Sequence, residues 1–103
     1  MFNKENRYVT RGINIDMPLL LQLYLWNCID EQIKSKKKVD YLQVFRFRLG
    51  ENNTLTIEHT QEQPNRKTIY TFPYNIDFRE LINRKVFVID DIDHSTMLWA
   101  EEY

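Results

Sequence analysis

The longest helical pattern in the sequence runs from Asp16 to Ile33. Asp16 can cap the helix, and Pro18 falls in the first turn, where its missing N–H costs nothing. On a helical wheel the first three turns are apolar almost all round. The pattern therefore predicts one long helix, over about residues 17–34, around which the rest of the chain is organised.

A helix of this kind carries more apolar surface than one sheet covers. In a chain of 103 residues, burial of both sides inside one monomer is hard to arrange. Two interpretations stay open: a helix deep in the core, or a helix with one side on its own sheet and the other on a partner chain. Leu20 and Tyr24 lie between the two main apolar stripes. They are the predicted contact residues for a homodimer or an unidentified protein partner.

From Asp40 onward the apolar period changes from helical to two, which is typical of β-strands. Matching the apolar faces across the polar turn at 50–53 places Phe47 opposite Ile57 and Phe45 opposite His59. On the other face the same register places Arg46 opposite Glu58. These residues predict an antiparallel hairpin with one aromatic face.

A second turn, at residues 63–66, has Pro at its second position and Asn at its third, as in a type I turn. Folding about it pairs Glu62 with Lys67, His59 with Tyr70, and Ile57 with Phe72. The result is a three-stranded meander whose aromatic face the helix covers.

The remaining segments add shorter elements to the sheet. Residues 8–10 read as a strand, 77–82 as a short helix with a capping box, and 85–89 as a buried strand. Residues 96–101 fit a strand or a helical turn, and β-branched Thr96 favours a strand that forms a hairpin with residues 85–89. As the last strand it is expected at a sheet edge. The predicted fold is α+β, with one domain over residues 1–103, an antiparallel sheet of about five or six strands, and the long helix on one face.

The composition of the chain argues against several classes of function. The net charge is −1 with acids and bases interspersed, so no global field attracts nucleic acid or a membrane. The lone Cys28 cannot form an internal disulfide, and the stretch from Met1 to Arg7 is too polar for a signal peptide. The apolar run of the helix falls short of the roughly 20 residues that a bilayer requires. A cytoplasmic protein is expected.

The best chemical candidate is the acidic segment with Asp90, Asp91, Asp93 and His94. Clustered carboxylates suit hard cations, and histidine adds a borderline ligand. The spacing does not match a calcium loop, and the same residue types are ordinary turn formers. We favour the turn, with a metal-ion-binding protein or enzyme as an alternative, and predict no cofactor.

A second alternative is nucleic-acid binding through the cationic run Lys34–Lys38 together with Arg46 and Arg48. Positive charge at a helix C-terminus is also a normal solvated ending that the helix dipole favours. Alternation sends Phe45 and Phe47 to the face opposite the arginines, unlike RNA-binding sheets, where both share the open face. Nucleic acid is therefore not the expected partner.

No catalytic constellation can be assembled from the sequence. His59 falls on the aromatic side of the meander, where a neutral core histidine is expected. Cys28 sits among leucines, where burial raises a thiol pKa and blunts reactivity. The leading hypothesis is a non-enzymatic interaction or regulatory module that uses the surplus apolar side of the helix.

Several strings along the chain also resemble a family of small Firmicute proteins, typified by staphylococcal members and catalogued as domain of unknown function 960. The strings are Arg7–Gly12, Leu25–Asp30, Asp40–Phe45, His59–Pro64, Val88–Asp91 and His94–Tyr103. The resemblance implies a cytoplasmic protein of a Gram-positive bacterium. The family carries no assigned activity, so no catalytic or binding residue is carried over.

Overall fold

The computed structural model describes residues 1–103 and has the α+β fold that the sequence predicts. Its helices are α1 (Arg11–Asp16) and α2 (Leu19–Lys34). Its strands are β1 (Arg7–Val9), β2 (Leu42–Leu49), β3 (Leu55–Gln61), β4 (Arg66–Thr71), β5 (Lys85–Asp90) and β6 (Ser95–Trp99). Short 3-10 turns lie at Lys4–Asn6, Glu51–Asn53 and Ala100–Glu102.

The six strands form one sheet in the order β1-β6-β5-β2-β3-β4. All neighbours are antiparallel except β1 and β6, which pair in parallel, so the sheet is mixed. The prediction that the strand after Thr96 forms a sheet edge is wrong, because β1 pairs with it and places β6 inside the sheet. The two edges are β1 and β4.

The predicted long helix is α2, which begins two residues later than predicted, and α1 is an additional short helix before it. Thr10 caps α1 by accepting a hydrogen bond from the Ile13 N–H, and α1 ends at Asp16. Met17 is extended because a residue before proline is disfavoured in the helical region, and Pro18 then takes the cap position of α2. Neither helix has the length and apolarity that a bilayer crossing requires.

The predicted register between β2 and β3 is confirmed, with Phe47 opposite Ile57. Between β3 and β4 the prediction is wrong by two residues: His59 lies opposite Thr68 instead of Tyr70. A shift of two keeps every side chain on its predicted face. It brings Gln61 opposite Arg66, and the Arg66 guanidinium donates to Gln61 Oε1 at 2.9 Å.

Residues 77–78 are irregular and 79–83 form a turn, so the predicted short helix is wrong. The Asp77 carboxylate accepts from the Arg79 main-chain N–H and from its guanidinium, which folds back over the turn. The Asp77 carboxylate, which was predicted to cap a helix, is therefore bonded to the Arg79 side chain instead. The chain turns back toward β5. These bonds also lower the pKa of Asp77 to about 2.

The core lies between α2 and one face of the sheet. Leu21, Leu25 and Ile29 of α2 are fully buried, and a buried leucine contributes about 1.5–3 kcal/mol relative to an exposed one. The large, fully buried side chains beneath and beside them include Phe2, Phe45, Phe47, Ile57, Met97 and Trp99. No helix covers the opposite face of the sheet, where Tyr103 packs edge-on against Phe87 with 5.8 Å between ring centroids.

Candidate functional site

The side of α2 that faces away from the sheet exposes three leucines. Leu19, Leu20 and Leu23 are 66%, 43% and 56% exposed. We call these three residues the outer face of α2. Single exposed leucines are common on protein surfaces, but three within five residues form a continuous apolar patch. This is the surplus that the apolar wheel predicts.

A groove of about 340 Å³ adjoins the outer face. It is lined by Leu20, Leu23, Tyr24, Asn27, Pro73 and Tyr74, and we call it the α2 groove. Its floor is aromatic, because the Tyr24 ring lies 5.2 Å from Phe72 and 6.0 Å from Tyr70, and Tyr74 packs edge-on against Phe72 at 5.6 Å. Packing on β4 and the segment after it therefore fixes the groove in shape.

The chemistry of the α2 groove is apolar with a few hydrogen-bonding groups. Among its lining residues only the two tyrosines titrate, and burial raises the pKa of Tyr24, with smaller effects from Cys28 and Tyr74. The Tyr24 phenol is therefore uncharged at neutral pH. An uncharged, partly aromatic groove suits apolar side chains of another protein better than an ionic ligand.

The sequence predicts Leu20 and Tyr24 from the helical wheel but misses Pro73 and Tyr74. The structure places Leu20 at the surface and Tyr24 half-buried between the helix and the aromatic side chains of β4. Pro73 and Tyr74 reach the groove only because the N-terminal half of α2 packs beside the end of β4. No local pattern signals that contact, since it depends on tertiary packing.

Beneath the C-terminal half of α2 lies a buried polar network. Its members are Gln32, Gln43, His59, Gln61 and Arg66. The His59 ring stacks on Phe45 at 4.2 Å and accepts at Nδ1 from Gln32, so its proton lies on Nε2 and is donated to Gln43 Oε1 at 2.6 Å. The network confirms that His59 is a neutral core histidine.

Burial, assisted by the charge of Arg66, lowers the pKa of His59 to about 4. Burial likewise raises the pKa of the Cys28 thiol to about 12, as predicted for a thiol among leucines. A neutral imidazole with both ring nitrogens bonded and an un-ionised thiol are poorly suited to proton transfer or nucleophilic attack. The His59 and Cys28 side chains are therefore structural parts of the core.

The acidic segment forms the β5–β6 turn, as predicted. Asp90 Oδ1 accepts from the Phe2 main-chain N–H at 3.2 Å, and Asp91 Oδ2 lies 3.7 Å from His94 Nε2. The Asp93 main-chain N–H donates to the Asp91 carbonyl. No group of three or more His, Cys, Asp or Glu side chains is arranged to hold a metal ion.

The structure separates the two halves of the predicted nucleic-acid surface. Lys34–Lys38 spans the last residue of α2 and the loop before β2, whereas Arg46 and Arg48 lie roughly 20 Å farther along, in β2, on the face away from the helix. The Arg48 guanidinium donates to Glu58 at 2.7 Å. Arg46 lies opposite both Glu58 and Lys85 and has no ion-pair partner.

A second depression, of about 440 Å³, is lined by Asp16, Asp77, Arg79, Glu80 and Leu81. Its charged groups are engaged locally: Arg79 pairs with Asp77, and Asp16 pairs with Arg84. The Arg84 guanidinium also stacks on the buried Trp99 ring at 3.6 Å and pairs with Glu101. This arrangement ties α1 to the end of β6.

Comparison with known proteins agrees with the fold. A crystal structure of a protein of unknown function from Enterococcus faecalis superposes with a TM-score of 0.84, covering 99% of this chain and 94% of that one at 23% identity. No curated protein matches the sequence. The family model of the staphylococcal proteins of unknown function called DUF960 matches residues 6–102, and the chain therefore belongs to that family.

Proposed function

We propose that the protein is a non-enzymatic interaction module whose outer α2 face and α2 groove contact another protein. The observation that carries the proposal is the exposure of Leu19, Leu20 and Leu23 beside an aromatic groove. Burying apolar surface in a contact contributes about 25 cal/mol of favourable free energy for each Å² removed from water. Aromatic residues and leucines around an apolar centre are the usual composition of an interface core.

The burial of the two most reactive side-chain types supports an interaction role indirectly. His59 and Cys28, which are the residue types most often used in catalysis, lie 1% and 3% exposed and face the core. The surface that remains available is apolar and shaped, which favours association over chemistry. The α2 groove is also held by packing on β4, so little side-chain ordering is required when a partner binds.

A site-specific photo-crosslinker tests this proposal in living cells. A benzophenone side chain at position 23 is expected to yield a protein adduct of discrete mass. Leu20→Glu in the same chain is expected to abolish the adduct, because a carboxylate desolvated in an apolar contact is costly. The adducts are compared on denaturing gels and identified by mass spectrometry.

Leu49 provides the matched control, since it is 59% exposed and lies on β2, away from the groove. A benzophenone there reports adventitious contacts. Circular dichroism of Leu20→Glu checks that the fold is retained. The proposal is overturned when position 23 gives no discrete adduct, or when it gives the same adducts as position 49.

The uncovered face of the sheet favours a second candidate function, the binding of single-stranded nucleic acid. Arg46 lies directly opposite Lys85 on one side and Glu58 on the other. Glu58 pairs with Arg48 and Lys67, so neither Arg46 nor Lys85 has an ion-pair partner in the fold. Like charges directly opposite each other destabilise a sheet, and an anionic ligand relieves the repulsion. Phe87 and Tyr103 on the same face offer rings for base stacking.

Fluorescence anisotropy with labelled mixed oligonucleotides tests the second candidate. Binding is expected to weaken steeply with salt and to fall in Arg46→Gln and Lys85→Gln. Lys4→Gln, in an exposed turn, serves as the control. Absent binding, or binding insensitive to salt, removes this candidate and leaves the interaction module untouched.

A further inference from the structure

The two edges of the sheet differ in how far they are open. β1 is three residues long, and the chain before and after it buries Phe2 and Ile13 in the core. β4 is six residues long, carries no proline inside the strand, and has no element beside it. An uncovered edge of that length is a template for another strand.

The ladder determines which main-chain groups of β4 are free. Gly50 N–H donates to the Thr54 carbonyl at 2.7 Å, and Phe72 N–H donates to the Leu55 carbonyl at 2.9 Å. Since hydrogen-bonded pairs alternate in antiparallel strands, every second residue of β4 points its main chain toward β3. The residues whose N–H and C=O groups point outward, without a partner, are Lys67, Ile69 and Thr71.

We propose that the partner of the α2 groove is a second copy of this chain, joined by antiparallel pairing of the two β4 strands about a two-fold axis at Ile69. The inference rests on the proposed function and names its partner. With Ile69 opposite itself, Lys67 lies opposite Thr71, and each of these pairs exchanges both main-chain hydrogen bonds. The two lysines are about 14 Å apart, so they do not repel strongly.

The position of α2 makes this edge the natural interface. Tyr24 contacts Tyr70, and Gln32 Oε1 accepts from the Arg66 guanidinium at 3.0 Å, so α2 runs alongside β4 in the opposite direction. A two-fold axis perpendicular to the sheet keeps both copies of α2 on one face, with the grooves flanking the junction. The side of α2 next to β4, which carries Leu20 and Tyr24, then adds to the narrow strip that strand pairing buries, toward the roughly 800 Å² per partner of a stable interface.

The charge pattern of β4 also permits pairing with a second copy. In a two-fold interface residue i of one copy meets residue j of the other, and j meets i. With Ile69 on the axis, Lys67 meets Thr71, so no like charges lie directly opposite each other. The α2 groove, which flanks the junction, contains no charged side chain.

Engineered disulfides test the register directly. The Cα atoms of a hydrogen-bonded antiparallel pair are about 5.5 Å apart, which is within disulfide range. Ile69→Cys is expected to form a covalent dimer under mild oxidation at least about tenfold faster than Lys67→Cys. Mixing Lys67→Cys with Thr71→Cys is expected to restore fast cross-linking between the two variants. Native Cys28 is buried and does not compete.

Ile69→Pro and Ile69→Thr separate main-chain pairing from side-chain contact. The Ile69 N–H points away from β3, so proline removes no bond of the monomer, and edge strands tolerate it. Light scattering is expected to show a dimer for wild type and Ile69→Thr and a monomer for Ile69→Pro, with circular dichroism confirming that all three fold.

The pairing is overturned when wild type is monomeric at high concentration, or when Ile69→Cys oxidises no faster than Lys67→Cys. Failure of the pairing is distinguishable from failure of the interaction module. An adduct from position 23 with no register-specific disulfide rejects the β4 pairing alone. The absence of both rejects the pairing and the module together.

Discussion

The two sides of α2 carry the same residue type and meet opposite environments. Leu21 and Leu25 are fully buried on the sheet, whereas Leu19 and Leu23 are more than half exposed. All four occupy one helix of 16 residues. Hydrophobicity alone therefore does not decide burial in this protein: a single sheet covers only one side of a helix, and the side left over becomes available for association.

A substitution on the inner side should have the largest effect. We expect Leu25→Ala to lower the free energy of unfolding by about 2–5 kcal/mol, because it removes buried methyl groups and leaves a cavity against the sheet. Urea denaturation followed by circular dichroism measures the loss. A loss below about 1 kcal/mol would mean that the two sides of α2 differ less than their exposure indicates.

The polar network beneath the same helix should be nearly as sensitive. Gln61 Oε1 accepts from the Asp40 N–H, Gln43 Nε2 and Arg66 Nη2. Gln61→Ala leaves the Asp40 N–H without its acceptor, while Gln43 and Arg66 each lose one of their acceptors, and we expect a loss of about 1–3 kcal/mol. Gln63→Ala, in the exposed turn two residues later, is the matched control and should be close to neutral. Equal effects in the two variants would contradict a structural role for the network.

The network also predicts a dependence of stability on pH. The pKa of His59 is about 4 in the fold and about 6.5 unfolded, so the unfolded chain binds more protons between these values. Stability from this group is fully present above pH 6.5 and is lost as pH falls toward 4. We expect a loss of about 2 kcal/mol between pH 7 and pH 5.

Variants isolate the contribution of His59 from that of other titrating groups. His59→Gln should flatten the decline in stability between pH 7 and pH 5, measured by urea denaturation at each pH. His94→Gln, at an exposed turn, should leave the decline as it is in wild type. An unchanged slope in His59→Gln would place the acid sensitivity elsewhere.

The hairpin of β2 and β3 could be predicted from sequence because its register depends on residues close together in the chain. Alternation of apolar and polar side chains places Phe47 opposite Ile57 without any tertiary information. The register of β4 could not be predicted this way. It depends on Gln61 and Arg66, whose side chains both donate to the Lys38 carbonyl, a group that reaches the turn only after α2 has packed.

Part of the candidate interface could also be predicted from the sequence, and part of it could not. The helical wheel indicates that α2 has surplus apolar surface and selects Leu20 and Tyr24, because helix periodicity is a local property. The break before Pro18 shortens the helix, and its cause, the steric restriction on Met17, is also local. The α2 groove could not be predicted, since Pro73 and Tyr74 join it from a loop more than 40 residues away. Sequence thus indicates that a surface exists, and tertiary packing gives it a shape.

The smallest expected effect is on the outer side of α2. At low micromolar concentration we expect Leu23→Ala to change the free energy of unfolding by at most about 0.5 kcal/mol, because the side chain is largely in water. If a second copy covers the α2 groove, the cost should grow as the protein is concentrated, since only the dimer buries Leu23. Urea denaturation at two concentrations a hundredfold apart measures this difference, with Leu49→Ala as the exposed control that should show none. A large cost that does not vary with concentration would mean that Leu23 is buried within the monomer, and the two sides of α2 would no longer be distinct.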